Sequence, residues 1–167
     1  MKVNQNNIIS LFKEKLDTVV NDTIHCGSLN VKNPGAKGKF VDNLFYYSGQ
    51  DNINHSSSDW PFLEIKDVGN PKMINLAKYT DTSKDTSIAL INKIKWNLVL
   101  TFSEIENGIL VFKKVIKLSE LNIEEFKKYI KPRTRVTSKF KVVTQWWASY
   151  DNLKQLYKKE EVIYDIS

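Results

Sequence analysis

Asn107-Gly108 separates two strongly apolar runs, residues 96–102 and 109–118, in the second half of the chain. An Asn-Gly pair accepts the left-handed backbone of a tight two-residue turn, so the runs are predicted to be antiparallel neighbours in one sheet. That hairpin limits everything else, because the flanking segments must cover its faces or extend its edges. Ile9, Phe12, Leu16, Val19 and Val20 recur at helical spacing over residues 5–20. Phe40, Val41, Leu44 and Tyr47 do so ahead of Ser48-Gly49, after a turn-like Asn-Pro-Gly-Ala-Lys-Gly at 33–38. Residues 60–66 and 73–79 are predicted to be extended, and 86–94 to be a short helix. Ser119 or Asn122 caps a further helix that ends near Ile130, ahead of Pro132. A strand over 139–147, a helix over 151–159 and an extended piece over 162–166 complete the pattern. The expected fold class is α/β (α+β), one domain with a central mixed sheet flanked by helices.

Composition agrees. With 167 residues the chain is long enough to bury a real core, and 41% hydrophobic with 26% charged residues is ordinary for a globular protein. No apolar stretch reaches the ~20 residues that span a bilayer, and the amphipathic start does not resemble a signal-peptide core, so a cytoplasmic protein without a membrane partner is expected. A single cysteine, Cys26, excludes an internal disulfide framework and a cysteine zinc cluster. A net charge of +6 points to a polyanionic partner, although lysine- and asparagine-rich composition also follows from an AT-rich coding sequence.

The candidate chemistry lies between Asp51 and Lys66. Asp51 sits in a polar turn; the apolar run Trp60-Pro61-Phe62-Leu63 then leads into Glu64-Ile65-Lys66. In a strand, residues two apart share a face, so Glu64 and Lys66 would emerge together on the face that also carries Trp60 and Phe62. Asp51 and Glu64 can offer oxygen ligands to Mg²⁺, joined by the Ile65 carbonyl and water. Lys66 beside them would orient an attacking water and balance developing negative charge, which makes Asp51, Glu64 and Lys66 the catalytic candidates for phosphodiester hydrolysis. Asp59 competes with Asp51 for the first metal position. His55 reads as a solvated loop residue. Glu125-Phe126-Lys127 fits the same tripeptide pattern on a predicted helix with no partner acid, so the tripeptide alone means little.

The order of these parts resembles the PD-(D/E)XK nuclease superfamily, and within it the small type II restriction endonucleases. The resemblance runs from about residue 37 to 141. It comprises Gly38-Lys39 opening an apolar helix, Gly49-Gln50-Asp51, the Glu-x-Lys strand, a Thr/Ser-rich turn with a helix, a hairpin, a Leu-x-x-x-acid-Phe helix and a basic C-terminal strand. The resemblance implies Asp51 and Glu64 as metal ligands and Lys66 as the catalytic lysine. It implies double-stranded DNA as partner, with Thr82, Ser83, Lys84 and Asp85 reading bases and Arg133, Arg135, Ser138, Lys139 and Lys141 adding groove and phosphate contacts. It also implies a homodimer, with residues 1–35 at the interface, 36–118 as catalytic core and 119–167 as recognition part, because a palindromic site offers two equivalent phosphates. Two departures stand out. A histidine-rich turn of such enzymes is replaced by Ser83-Lys84-Asp85, and the gap from Asp51 to Glu64 is longer than the family pattern.

Other residues carry weaker signals. Arg133 and Arg135 suit bidentate contacts to guanine or phosphate, or a solvated loop. Trp146 and Trp147 must face opposite ways in a strand, so at least one belongs to the core. His25-Cys26 lacks further soft ligands. A structure-selective resolvase or repair nuclease, and a non-catalytic basic nucleic-acid-binding protein, are the competing functions.

Overall fold

The computed structural model describes residues 3–27, 34–47 and 58–167. It is a mixed α+β fold in which a curled mixed sheet is flanked by helices. The hairpin is its spine: β4 (Asn97–Glu106) and β5 (Ile109–Leu121) pair antiparallel along their lengths. Asn107 and Gly108 between them have φ of 53° and 74°, as the turn requires.

The hairpin is extended on both sides. β1 (Ile24–His25) and β8 (Tyr157–Asp165) pair with different stretches of β5, while β2 (Glu64–Asp67) runs parallel to β4. Among the described residues the order is β1-β5-β4-β2, so β2 lies at an edge. A second, three-stranded sheet has the order β3 (Ile74–Tyr79), β7 (Val142–Ala148), β6 (Lys131–Val136).

Alternation along the strands splits the core in two. Val99, Phe112, Val115 and Ile65 face α1 (Ile8–Asn21) and α2 (Pro34–Leu44), where Ile8, Phe12, Leu16 and Val41 are buried. Leu98, Leu100, Ile116 and Leu118 face the opposite way, onto the three-stranded sheet, α3 (Thr86–Ile94), α4 (Phe126–Tyr129) and α5 (Tyr150–Leu156). The helix of residues 86–94 forms as expected, and Asp85 caps it by accepting from the amides of Ser87 and Ile88. Trp146 is the buried member of its pair; its indole donates to Thr86 Oγ1 at 2.8 Å. Cys26 is buried, with Sγ 3.2 Å from the Gly108 carbonyl. No described helix is long and apolar enough to cross a membrane.

Four local expectations are corrected. The turn-like segment at 33–38 is helical from Pro34 onward. Proline is tolerated in the first turn, and burying Val41 and Phe45 outweighs about 1 kcal/mol lost at each helical glycine. The strand expected over 60–66 begins only at Glu64. Trp60 to Leu63 is instead a closed turn, with the Leu63 amide donating to the Trp60 carbonyl at 3.1 Å, Pro61 in the second position and Phe62 at φ 60°. The helix before Ile130 is one 3-10 turn (Ile123–Glu125) followed by α4, with no side-chain cap from Asn122, and Ser119 lies within β5. The final helix ends at Leu156, and β8 starts at Tyr157 rather than near 162. There the buried Tyr157 hydroxyl donates to the Ile94 carbonyl at 2.9 Å, so tertiary contacts draw the chain into the sheet early.

Candidate active site

The turn at Trp60–Leu63 decides where the charged residues go. Trp60 turns into the helical side of the sheet, against Phe12 and Tyr47 at ring separations of 5.6 and 5.0 Å, and its indole donates to the Phe45 carbonyl at 2.6 Å. Asn97 Nδ2 holds the other end of the turn by donating to the Phe62 carbonyl at 2.9 Å. Trp60 and Phe62 therefore do not share a strand face with Glu64 and Lys66. Removing the Trp60 ring would cost about 3–5 kcal/mol, as for a large aromatic in a core.

With the turn anchored, Asp59 lies beside Glu64. The Asp59 amide donates to Glu64 Oε2 at 3.2 Å, and the Ile65 amide donates to Asp59 Oδ2 at 3.0 Å. Two carboxylates thus meet at the mouth of β2. Glu64 is 5% exposed. Burial first, and then the Asp59 charge, push its carboxyl up to about 8, against the partial compensation of Lys93 on α3, 3.8 Å away. Lys66, two residues on, shares this face and is half-buried. Burial pulls its amine below the ordinary lysine range, while Glu64 and Asp42 hold it up.

Asp42, on α2, was not singled out from the sequence. Its carboxyl is pushed up to about 6 by burial and then by Asp59, with Lys66 opposing. The side chain reaches solvent, which weakens both causes. A helix position seventeen residues before Asp59 and twenty-two before Glu64 gave no sequence signal. The opposite face of β2 holds another pair missed by sequence reasoning. Asp67 Oδ1 accepts from Thr101 and Ser103 hydroxyls, both at 2.8 Å, and Oδ2 faces Lys37 Nζ at 3.1 Å. Lys37 also donates to the Ser103 carbonyl at 2.6 Å.

Of the expected metal-site residues, Glu64, Ile65 and Lys66 lie together on β2. The Ile65 side chain is in the core beneath α1 and α2. Asp51, His55 and the Gly49-Gln50 pair lie outside the described residues. Asp59, the competing acid, is the one found next to Glu64. Among the described residues no three acid, histidine or cysteine side chains converge tightly enough to form a complete metal cage. Mg²⁺ does not need one, since it commonly keeps several waters and binds through one or two carboxylates plus substrate oxygens. Asp59 and Glu64 fit that donor set in chemistry, and their crowding is the kind that a cation relieves.

The expected DNA-contacting residues form two groups. Thr82, Ser83 and Lys84 are exposed in the turn after β3, with Lys84 3.7 Å from Asp81. Asp85 is committed to capping α3 and has less freedom to read a base. Arg133 and Arg135 are exposed on β6, and Ser138, Lys139 and Lys141 on the turn that follows. A shallow groove lined by Val20, Asp22, Ile24, Leu110 and Tyr164 lies at the β1 edge, away from β2, and Asp22 is the one carboxylate in its lining. Comparison of the chain with family models, curated proteins and solved structures returned no match.

Proposed function

We propose that this chain is an Mg²⁺-dependent endonuclease that hydrolyses phosphodiester bonds in double-stranded DNA at a short specific site, in the manner of a type II restriction enzyme. One observation carries the reading: Asp59 and Glu64 are tied to each other at the mouth of an edge strand, with the Lys66 amine on the face of Glu64. A bound Mg²⁺ would supply polarisation of the phosphoryl oxygen and acidification of water. Asp59 and Glu64 would hold it, with the Ile65 carbonyl available nearby and Asp51 as the alternative first acid. Lys66, its amine destabilised as a cation by burial, would orient the attacking water and hold or take its proton. Lys93 offsets part of the negative charge near Glu64. The net charge of +6 favours approach of a polyanion. A homodimer would match the two equivalent phosphates of a palindrome.

The test is incubation of purified protein with long duplex DNA, with and without Mg²⁺. Discrete fragments support the reading. Nicking confined to branched or damaged duplexes would support a structure-selective nuclease instead, and intact DNA with retained binding a non-catalytic protein. Lys66→Ala should lower cleavage about 10²–10⁴-fold while duplex binding in Ca²⁺ persists. Asp59→Asn and Asp51→Asn compared side by side identify the first acid, since only the ligand's loss should abolish Mg²⁺ binding together with cutting.

A further inference from the structure

Among the described residues, β6 and the turn that leads into β7 form a largely exposed stretch. All six residues of β6 are exposed, and among the described residues it is the edge of its sheet. Its register with β7 is regular, Lys131↔Trp147 through Val136↔Val142. Lys131, Arg133 and Arg135 alternate with Pro132, Thr134 and Val136, so three cations share one face about 6.7 Å apart. No carboxylate occurs between Glu125 and Asp151. Arg133 and Arg135 are also the only arginines in the chain, against 25 basic residues in all. A coding bias toward lysine accounts for the others. It does not account for two arginines placed two apart on one exposed face, where a planar bidentate donor differs from a point charge.

The tip adds an independent sign. The Phe140 amide donates to the Thr137 carbonyl at 2.9 Å, the Thr137 amide to the Lys141 carbonyl at 2.8 Å, and the Lys141 amide to Thr137 Oγ1 at 3.1 Å. This is an ordered turn, and Phe140 takes its left-handed position at φ 59°, a place that ordinarily suits glycine. The ring is 89% exposed, with Val136 and Val142 exposed beside it. A phenylalanine there relinquishes both backbone comfort and burial, and among the described residues no ring contact repays it.

We propose that the β6–β7 hairpin is a duplex-DNA-binding arm: Lys131, Arg133, Arg135, Lys139 and Lys141 grip phosphates, and Phe140 at the tip wedges against a base step. The position suits the proposed site. Tyr79, within electrostatic reach of Glu64, ends β3 and pairs with Thr144, which pairs with Thr134. The arm therefore leaves the body about 10 Å, two strand spacings, to the side of Tyr79. It then continues past the end of β3. Apolar wedges carried between cations are a known way to bend a duplex. The inference rests on the proposed nuclease function only in choosing duplex DNA among polyanions.

Binding of a mixed-sequence duplex is measured in Ca²⁺ over a range of salt, with a 2-aminopurine probe for unstacking and end-to-end energy transfer for bending. Arg133→Ala/Arg135→Ala should weaken binding at least tenfold at about 150 mM salt and reduce the slope of log K against log salt by about 1.8. Phe140→Gly removes no charge and relieves the backbone. It should leave the salt slope unchanged and the melting temperature equal or higher, yet lose about tenfold in affinity and most of the unstacking signal. An unaltered slope in the double variant, or wild-type bending by Phe140→Gly, overturns the proposal. So does tighter binding of single-stranded RNA or an acidic protein than of duplex. A cleavage assay of the wild-type protein and the arm variants separates the two readings: arm-dependent binding by a wild-type protein that never cuts sinks the nuclease and leaves the arm, whereas cutting that ignores the arm variants does the reverse.

Discussion

The two faces of β2 carry the same ingredients, acids and lysines, and treat them in opposite ways. On the α2 side, Asp67 has a side chain 1% exposed and is answered group by group: two hydroxyls on Oδ1 and the Lys37 ammonium on Oδ2. Oδ2 has no hydrogen bond of good geometry, so the 3.1 Å ion pair is what balances it. On the other face, Asp59 and Glu64 lean on each other, and among the described residues the ammonium paired with Glu64, that of Lys93, is 3.8 Å away. The first arrangement is a clamp that fastens α2 to the sheet. The second leaves negative charge under-compensated, which favours either a proton or an added cation. Burial alone does not distinguish structure from site; the completeness of compensation does.

The largest test of that contrast is Lys37→Met. Breaking a buried pair from one side strands the other charge, so stability should fall by about 3–5 kcal/mol in urea unfolding. Lys66→Met, on the open face, should change it by under about 1 kcal/mol. Equal losses would erase the distinction.

Next comes pH. The Glu64 carboxyl is raised from 4.5 to about 8, so the folded state holds a proton that the unfolded state releases between those values. Its contribution is complete below pH 4.5 and disappears as pH rises toward 8. The metal-free protein should therefore lose stability across that window, by about 5 kcal/mol at the most. Glu64→Gln should flatten the slope, and saturating Mg²⁺ should oppose it. A Glu64→Gln protein with the wild-type slope would place the titration elsewhere.

Asp42→Asn tests whether the helix-borne acid belongs to the open face. Cleavage at fixed Mg²⁺ should drop about tenfold, equivalent to ~1.4 kcal/mol, with partial recovery at higher Mg²⁺. The smallest expected effect is Tyr79→Phe. Its buried hydroxyl has no hydrogen-bond partner among the described residues, so removal should raise stability by about 1 kcal/mol. A loss would mean that the hydroxyl serves the Glu64 side.

Much of the fold was legible in local signals. Asn107-Gly108 dictates its hairpin because few other residues tolerate that backbone, and Asp85 starts α3 because its carboxylate satisfies free amides. The Glu64-x-Lys66 pairing was equally readable, since alternation needs only a strand. The start of that strand was not. Trp60 leaves the extended path to fill a space between Phe12 and Tyr47, and that space exists only once α1 and α2 have docked. Asp59 came into view by the same route: spacing alone favoured Asp51, which lies outside the described residues, and the anchored turn brings Asp59 to Glu64. Asp42 was invisible because helix-to-strand docking has no spacing rule.

By itself the sequence determined the hairpin spine, most of the other helices and strands though not β6, and one face on which an acid and a lysine emerge together, all consequences of backbone stereochemistry and side-chain periodicity. Only the tertiary structure decided that β2 runs parallel to β4, which charges on β2 are answered and which are left open, and that the arginine-bearing β6 is left exposed at the edge of its sheet. Those are matters of distance between segments far apart in the chain, where burial amplifies charge and small differences in compensation decide what a group does.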